Sequence, residues 1–392
     1  MGLDLGLEEA GLNVRVCQEI DPIACETIRL NRPKTVKVLE GDIRQISTED
    51  ILRAAGFKRG ESFLVAGGPP CQSFSTAGQR GSIADPRGSL FREFLRVVDE
   101  ARPRFFLMEN VKGLMSAAVK HRPIRLRGDD LDPEEELGSG FQQILNEFAR
   151  IGYRFAYQII DAVNYGCPQF RERLVILGSR DKEPLFLPAP THFQRHQHPE
   201  LRWVTLGQAI RHLEKRPGPC ASFSQERSKY LEFVPPGGNW RALPENIREE
   251  AMGAAYAAAG GKMGFYRRLT YEEPSPTLVT SPVQKATMLC HPRATRPLST
   301  KEYAAIQGFP ATWQFAGSIA DQYRQIGNAV PLKLGYSLGR TLQAIVQGSF
   351  EIRTKRTRTQ FTGNEIIVNI EEARNGRPRR AGSVLSAQAG IF

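Results

Sequence analysis

The stretch Phe63-Leu64-Val65-Ala66-Gly67-Gly68-Pro69-Pro70-Cys71-Gln72-Ser73-Phe74-Ser75 decides the fold. Four apolar residues, then two glycines and two prolines, read as a short buried strand that ends in a fixed turn. The glycines permit close backbone approach and the prolines set the direction of the exit. Cys71 therefore stands on a rigid loop at the carboxyl edge of a strand, where α/β sheets gather their ligands. Outward from this point strands and helices alternate. Residues 13–20, 105–108, 153–161 and 173–177 read as strands, and 22–30, 90–100 and 139–150 as helices, the last with Ser139 as the expected N-cap. This alternation predicts a doubly wound α/β domain with a parallel sheet over residues 1–180.

Composition changes after residue 180. Residues 181–266 are rich in proline, carry the pairs Gly237-Gly238 and Gly260-Gly261, and hold Trp203 and Trp240 without clear periodicity, which predicts a second, irregular domain. Order returns over 267–350, where 299–307 reads as a helix capped by Ser299 and 331–347 as a long amphipathic helix opened by Pro331. The tail at 351–392 is basic, lacks periodicity and is expected to be partly disordered.

The chain has 392 residues, 41% of them hydrophobic, which excludes a disordered or fibrous protein. It has neither an apolar run long enough to span a membrane nor a leader-like start, so a cytoplasmic protein is expected. Six scattered cysteines without a CxxC pair argue against a disulfide or zinc framework, and one of them is free to be a chemical thiol. His192, His196 and His198 read as a solvated loop, so no metal is expected. The net charge of +11 points to a polyanionic partner, because lysine and arginine neutralise phosphates and release counterions.

A single cysteine is most often structural, but Cys71 in its glycine–proline turn reads as a nucleophile. Glu109, at the end of the neighbouring strand, is on its own an ordinary strand-end charge; paired with Cys71 it becomes an acid–base partner. Arg171 and Arg173 alternate along Gln169-Phe170-Arg171-Glu172-Arg173, and their forked donors suit a carbonyl or phosphate oxygen.

In this order the three segments resemble the DNA (cytosine-5) methyltransferase family of the bacterial restriction-modification type, and the likeness runs through much of the chain. GGPPCQSFS at 67–75 resembles that family's nucleophile motif, Glu109-Asn110-Val111 its acid motif, and QFRER at 169–173 its QxRxR motif. Downstream, Arg296-Pro297-Leu298-Ser299 through Gln307-Gly308-Phe309-Pro310 resembles the RxLSxxExxxxQGFP block, and YRQIGNAVP at 323–331 the closing QxGNxVP block.

The resemblance implies a Rossmann-like, S-adenosyl-L-methionine-dependent methyltransferase fold with a small irregular target-recognition domain at 181–266. It implies methyl transfer to C5 of a cytosine flipped out of double-stranded DNA, with Cys71 adding at C6, Glu109 at N3 and the exocyclic amine, Arg173 at O2, and Arg171 in support. Cofactor contacts carry over to Gly2, Glu19, Ile20, Asp42, Ile43, Pro69, Asn328 and Val330. DNA contacts fall on Gln72 and Ser75, in a lid loop over 73–87, and on Arg195, Trp240 and Arg241. A monomer paired functionally with a cognate restriction endonuclease is expected.

The chain departs from the family at its front. Met1-Gly2-Leu3-Asp4-Leu5-Gly6 starts at about the last glycine of the FxGxGG turn, so the first strand and most of that turn are expected to be missing, with a late-called start as the favoured explanation. Two other readings follow: a tRNA cytosine-5 methyltransferase of the same fold, and a catalytically impaired DNA-binding remnant without the turn. The long recognition segment favours DNA over tRNA.

Overall fold

The computed structural model describes residues 1–32, 34–70, 89–120, 122, 131–257 and 262–349, together with three short strands beyond. Helix α1 (Leu3–Glu9) opens the chain. Strand β1 (Val16–Glu19) then leads through α2 (Pro22–Asn31) to β2 (Lys37–Glu40), which pairs parallel to β1. Helix α2 starts where Asp21 accepts from the Ile23 N–H and Pro22 supplies a preset φ. Helix α3 (Thr48–Ala55) is capped by Ser47 and stopped by Gly56 in the left-handed conformation.

Strand β3 (Leu64–Gly67), helix α4 (Ser89–Ala101) and strand β4 (Phe105–Val111) form the next unit, with β3 and β4 parallel. Helix α5 (Ser139–Arg150), β5 (Arg154–Asp161) and β6 (Glu172–Ser179) complete the body. Strand β6 runs antiparallel to both β4 and β5, so the sheet is mixed rather than all parallel. A single 3-10 turn at 162–165 and an irregular segment at 166–171 return the chain to β6, with no crossover α-helix between the two strands to make them parallel. Ser139 does not cap α5. Gly138 takes that place in the left-handed conformation, and Ser139 Oγ instead accepts from the Val119 N–H and donates to the Glu134 carbonyl.

The strands fall into separate sheets. One holds β1 and β2 alone; another runs β3-β4-β6-β5 and is extended beyond β5 by a short antiparallel strand, Gly390–Ile391, and no described strand is hydrogen-bonded between β1 and β3. Alternation along β4 builds two cores. Phe105 and Leu107 pack with Val175, Leu177 and Leu338 on one face, while Phe106 and Met108 pack with Phe94, Phe148 and Ile176 on the other. The Phe106 and Phe148 rings stack at 4.1 Å, and each buried aromatic contributes about 1.5–3 kcal/mol of transfer free energy.

The second half is less regular. Short helices α6 (Leu206–Ile210), α7 (Gln225–Leu231) and α8 (Glu245–Met252) surround two smaller cores, one of which also takes α9 (Thr300–Gln307) and α10 (Ile319–Asn328). The long helix α11 (Leu332–Gln347) closes the body, with Pro331 as its N-cap residue rather than its first turn. It lies against α1 backbone to backbone: a Cβ on Gly6 would stand 2.2 Å from the Leu332 carbonyl oxygen, and one on Gly335 would stand 2.7 Å from that of Leu3. Within 351–392 the described residues form β7 (Glu351–Arg353), β8 (Val384–Ser386) and β9 (Gly390–Ile391); the rest of the expected disordered tail lies outside the described residues. Among the described residues no helix is long and apolar enough to cross a membrane.

Candidate active site

Parallel pairing puts the ends of β3 and β4 at one edge of their sheet, and the antiparallel β6 starts there. Val111 stands opposite Arg173 in the register, which brings the acid segment and the QFRER segment together. Glu109 is inside β4 rather than beyond its end. Its Oε1 receives Arg173 Nε at 2.7 Å, and both side chains are nearly buried. Burial pushes the Glu109 carboxyl up from its ordinary value, opposed by the charges of Arg173 and then Arg171. The carboxyl group thus gives up its proton less readily than a solvated glutamate.

The turn after β3 meets this pair directly. A Cβ on Gly68 would stand 3.1 Å from Glu109 Oε2, so only glycine leaves the carboxylate its full room. Asn110 Nδ2 donates to the Pro69 carbonyl at 2.9 Å, fixing the loop that leads to Cys71. Asn110 was not among the expected site residues; its signal was a polar side chain inside an apolar strand, next to the acid. Cys71, Gln72, Ser75 and the lid at 73–87 lie outside the described residues.

Arg171 is placed differently from expectation. It is buried and donates to the carbonyls of Leu278 at 3.0 Å and Gly327 at 2.9 Å, so it positions the site and does not reach into it. Burial, and then the charge of Arg173, lower its pKa. Neighbouring amides work in the same way. Gln169 Nε2 donates to Gln307 Oε1 at 2.8 Å, and Gln307 Nε2 donates to the carbonyls of Ile326 at 2.6 Å and Ala329 at 3.0 Å. The QFRER segment and the two downstream blocks are thereby tied into one buried network around Gln169, Arg171 and Gln307. Farther along, Glu302 takes both terminal nitrogens of Arg296 at 2.8 Å and closes a capping box with Ser299.

The expected cofactor residues follow the ends of β1 and β2, the turn after β3 and the segment before α11. Glu19 ends β1, and its Oε1 accepts from the N–H groups of Ile20 and Asp21, leaving Oε2 for a hydroxyl donor. Ile20 is 61% exposed, an apolar platform open to a flat ring. Asp42 and Ile43 follow β2; Asp42 is held by Arg44 Nε at 2.9 Å, which pulls its carboxyl down to about 2. Gly2, at φ +89°, lies against the Val330 carbonyl, Asn328 is exposed close by in sequence, and Pro69 stands on the β3 turn. A carboxylate, an open apolar face and a glycine-tight backbone fit a nucleoside-bearing cofactor.

The recognition candidates sit elsewhere. Trp240 is half-buried, packs edge-on against Tyr256 at 6.0 Å and carries Arg241 over its ring at 5.7 Å. Arg241 and Arg195 are both exposed.

The sequence profile of C-5 cytosine-specific DNA methylases matches residues 1–344. The chain belongs to this family. The methylase is 40% identical over 341 residues to the Type II methyltransferase M.Sau96I of Staphylococcus aureus, an alignment covering 87% of this chain and 73% of that one. It is 37% identical over 349 residues to M.Eco47II of Escherichia coli, with 87% and 76% covered. Among solved structures it is similar to an Escherichia coli prophage-encoded DNA modification methyltransferase, with TM-score 0.58, 23% identity, and 88% of this chain and 96% of that chain covered. It is likewise similar to the Schizosaccharomyces pombe Dnmt2 methyltransferase, with TM-score 0.51, 17% identity, and 88% and 96% covered. Both likenesses show the Rossmann-like fold of S-adenosylmethionine-dependent methyltransferases. The methylase is a DNA cytosine-5 methyltransferase, and the match to Type II enzymes along most of its length favours DNA over the tRNA reading. Among its described residues no group of histidines, cysteines and carboxylates could hold a metal.

Proposed function

We propose that Cys71, Glu109 and Arg173 carry out the transfer on a cytosine held at the edge of the sheet. The observation that supports this most is the buried Glu109–Arg173 pair set against Gly68, three residues before Cys71. Carbon 5 of cytosine is too weak a nucleophile to take a methyl group unaided. The Cys71 thiolate adds to C6, forming a C–S bond, and the ring electrons move toward N3, where protonated Glu109 gives up its proton. Arg173 holds the O2 carbonyl, and the paired guanidinium stabilises the carboxylate that Glu109 becomes. The ring is then an enamine with a nucleophilic C5. S-adenosylmethionine, when bound, supplies the electrophilic methyl group. After transfer N3 returns its proton to Glu109, a base removes the C5 proton and the C–S bond breaks, which frees the thiolate.

Glu19 would receive the ribose hydroxyls, Ile20 would pack on the adenine, Asp42 and Ile43 would border it, and Gly2, Pro69, Asn328 and Val330 would wall the methionine side. Because the target atoms are stacked inside a duplex, the cytosine must rotate out, with Gln72 and Ser75 closing over the gap. Residues 181–266 serve as the recognition segment, with Trp240 and Arg241 toward the DNA. The enzyme acts as a monomer, in the cytoplasm, alongside a cognate endonuclease. The intact acid pair favours catalysis over the DNA-binding remnant.

The test is covalent trapping. A duplex carrying 5-fluorocytosine, with S-adenosylmethionine present, should form a denaturation-resistant adduct on Cys71, because fluorine cannot leave as the proton does. Cys71→Ser should form none while still binding DNA. An adduct on another residue would remove the assignment.

A further inference from the structure

The loop at 191–203, Thr191-His192-Phe193-Gln194-Arg195-His196-Gln197-His198-Pro199-Glu200-Leu201-Arg202-Trp203, has no part in the chemistry above, yet it is built onto the catalytic edge. Its anchor is the turn at 162–165, which follows β5. The last two residues of that strand, Ile160 and Asp161, pair with Arg173 and Glu172. The Asn164 carbonyl accepts the N–H groups of Thr191 at 2.9 Å and His192 at 3.0 Å, and Asn164 Oδ1 accepts from Trp203 Nε1 at 2.9 Å. One residue therefore holds both ends of the loop. Trp203 packs edge-on against Phe170 at 5.3 Å, next to Arg171. A Cβ on Gly166 would meet the His192 ring at 2.9 Å, so the root seats only on glycine.

Hydrogen bonds from the Phe193 N–H to the Leu201 carbonyl and from the Trp203 N–H to the Phe193 carbonyl close the loop on itself. Its crown is cationic and aromatic. Phe193 is 41% exposed and stacks on His196 at 5.7 Å, which in turn leans on His198 at 5.5 Å. Arg202 Nε donates to the His196 carbonyl at 2.8 Å and is exposed beyond it. Arg195 is exposed and makes no hydrogen bond or ion pair among the described residues. The loop's one acid, Glu200, is 3.5 Å from His198 Nδ1 and leaves both arginines uncompensated.

We propose that this closed loop is a preformed clamp for the phosphate backbone of the duplex beside the extruded cytosine, with Arg195 and Arg202 on phosphate oxygens and the Phe193–His196 stack against the sugar. The proposal rests on the DNA-methylating reading of the site. Phosphate contacts fix register on a duplex without reading its sequence, and a loop already ordered by its own hydrogen bonds loses little entropy on binding.

The test is fluorescence anisotropy of a labelled mixed-sequence duplex with the full chain, titrated with salt from about 50 to 200 mM. Arg195→Ala should weaken binding about five- to tenfold and lower the slope of log affinity against log salt by about one, equally for duplexes of different sequence. Arg195→Lys should restore the slope, since a phosphate is satisfied by a point charge. Phe193→Ala should weaken binding and leave the slope unchanged. Wild-type affinity and slope in both Arg195→Ala and Phe193→Ala would overturn the clamp, as would a loss confined to tRNA. A wild-type chain that binds no duplex, and forms no 5-fluorocytosine adduct, would instead remove the reading beneath it together with the proposal.

Discussion

Replacing Arg171 separates a positioning role from a catalytic one. Its guanidinium is buried and donates to the carbonyls of Leu278 and Gly327, each a charge-assisted bond contributing about 1.5–3 kcal/mol. Lysine can reach one carbonyl and leaves the other buried without a donor, so Arg171→Lys should cost about 2–4 kcal/mol. At about 2.1 cal/mol/K of unfolding entropy per residue, that is a fall in Tm of about 2–5 °C for this chain length. Arg171→Ala loses both bonds and leaves a cavity, a cost of about 3–6 kcal/mol against a typical total of about 5–15. The assay is a thermal melt beside single-turnover methyl transfer on the same preparations. Arg171→Lys should keep most of its rate well below its melting transition and lose it with the fold on warming. A variant that melts with the wild type yet transfers methyl groups a hundredfold more slowly would refute this, because Arg171 would then be touching the substrate.

The remaining expectations are narrower. Because burial raises the Glu109 carboxyl, the rate should fall with rising pH only above the ordinary carboxylate range, and Arg173→Gln, which removes the opposing charge, should move that limb higher still; a pH profile of kcat/KM unmoved by the substitution would contradict the coupling. Gly68→Ala places a methyl group 3.1 Å from Glu109 Oε2 and should slow transfer several-fold while leaving urea stability within about 1 kcal/mol; an unchanged rate would show that the carboxylate has slack. Ser299→Ala removes the cap of α9 and a bond to the Pro217 carbonyl, and should cost about 1–2 kcal/mol in urea unfolding with kcat retained in the folded fraction; equal midpoints would refute it.

Local chemistry made much of this fold legible. Helices α2 and α5 could be bounded by their amphipathic pattern and α9 by Ser299 at its start, all signals contained within a few residues. The direction of β6 was not legible, because antiparallel pairing with β4 depends on a partner more than sixty residues away and a parallel strand has the same apolar run. The acid and the arginine could be named from their motifs, but their 2.7 Å contact could not. The partners of Arg171 were not legible, because alternation in an extended chain assigns a face and does not say what lies on it; the carbonyls that hold it come from residues 278 and 327. Asn110 and Gln307 were passed over because buried amides carry no chemistry of their own until the carbonyls they serve are in place.

The contact between α1 and α11 sets the order of events during synthesis. Gln343 donates to the Ala10 carbonyl across 333 residues of sequence, and Gly6 and Gly335 let the two helices meet at backbone distance. Val330, against which Gly2 rests, is made almost as late. Closure of so long a loop precedes any gain from the contact, so folding should be slow and should finish only after the last helix leaves the ribosome. A nascent chain stalled before Leu332 should have a collapsed sheet but no seat for α1, so the two ends of the body stay apart until translation has passed α11.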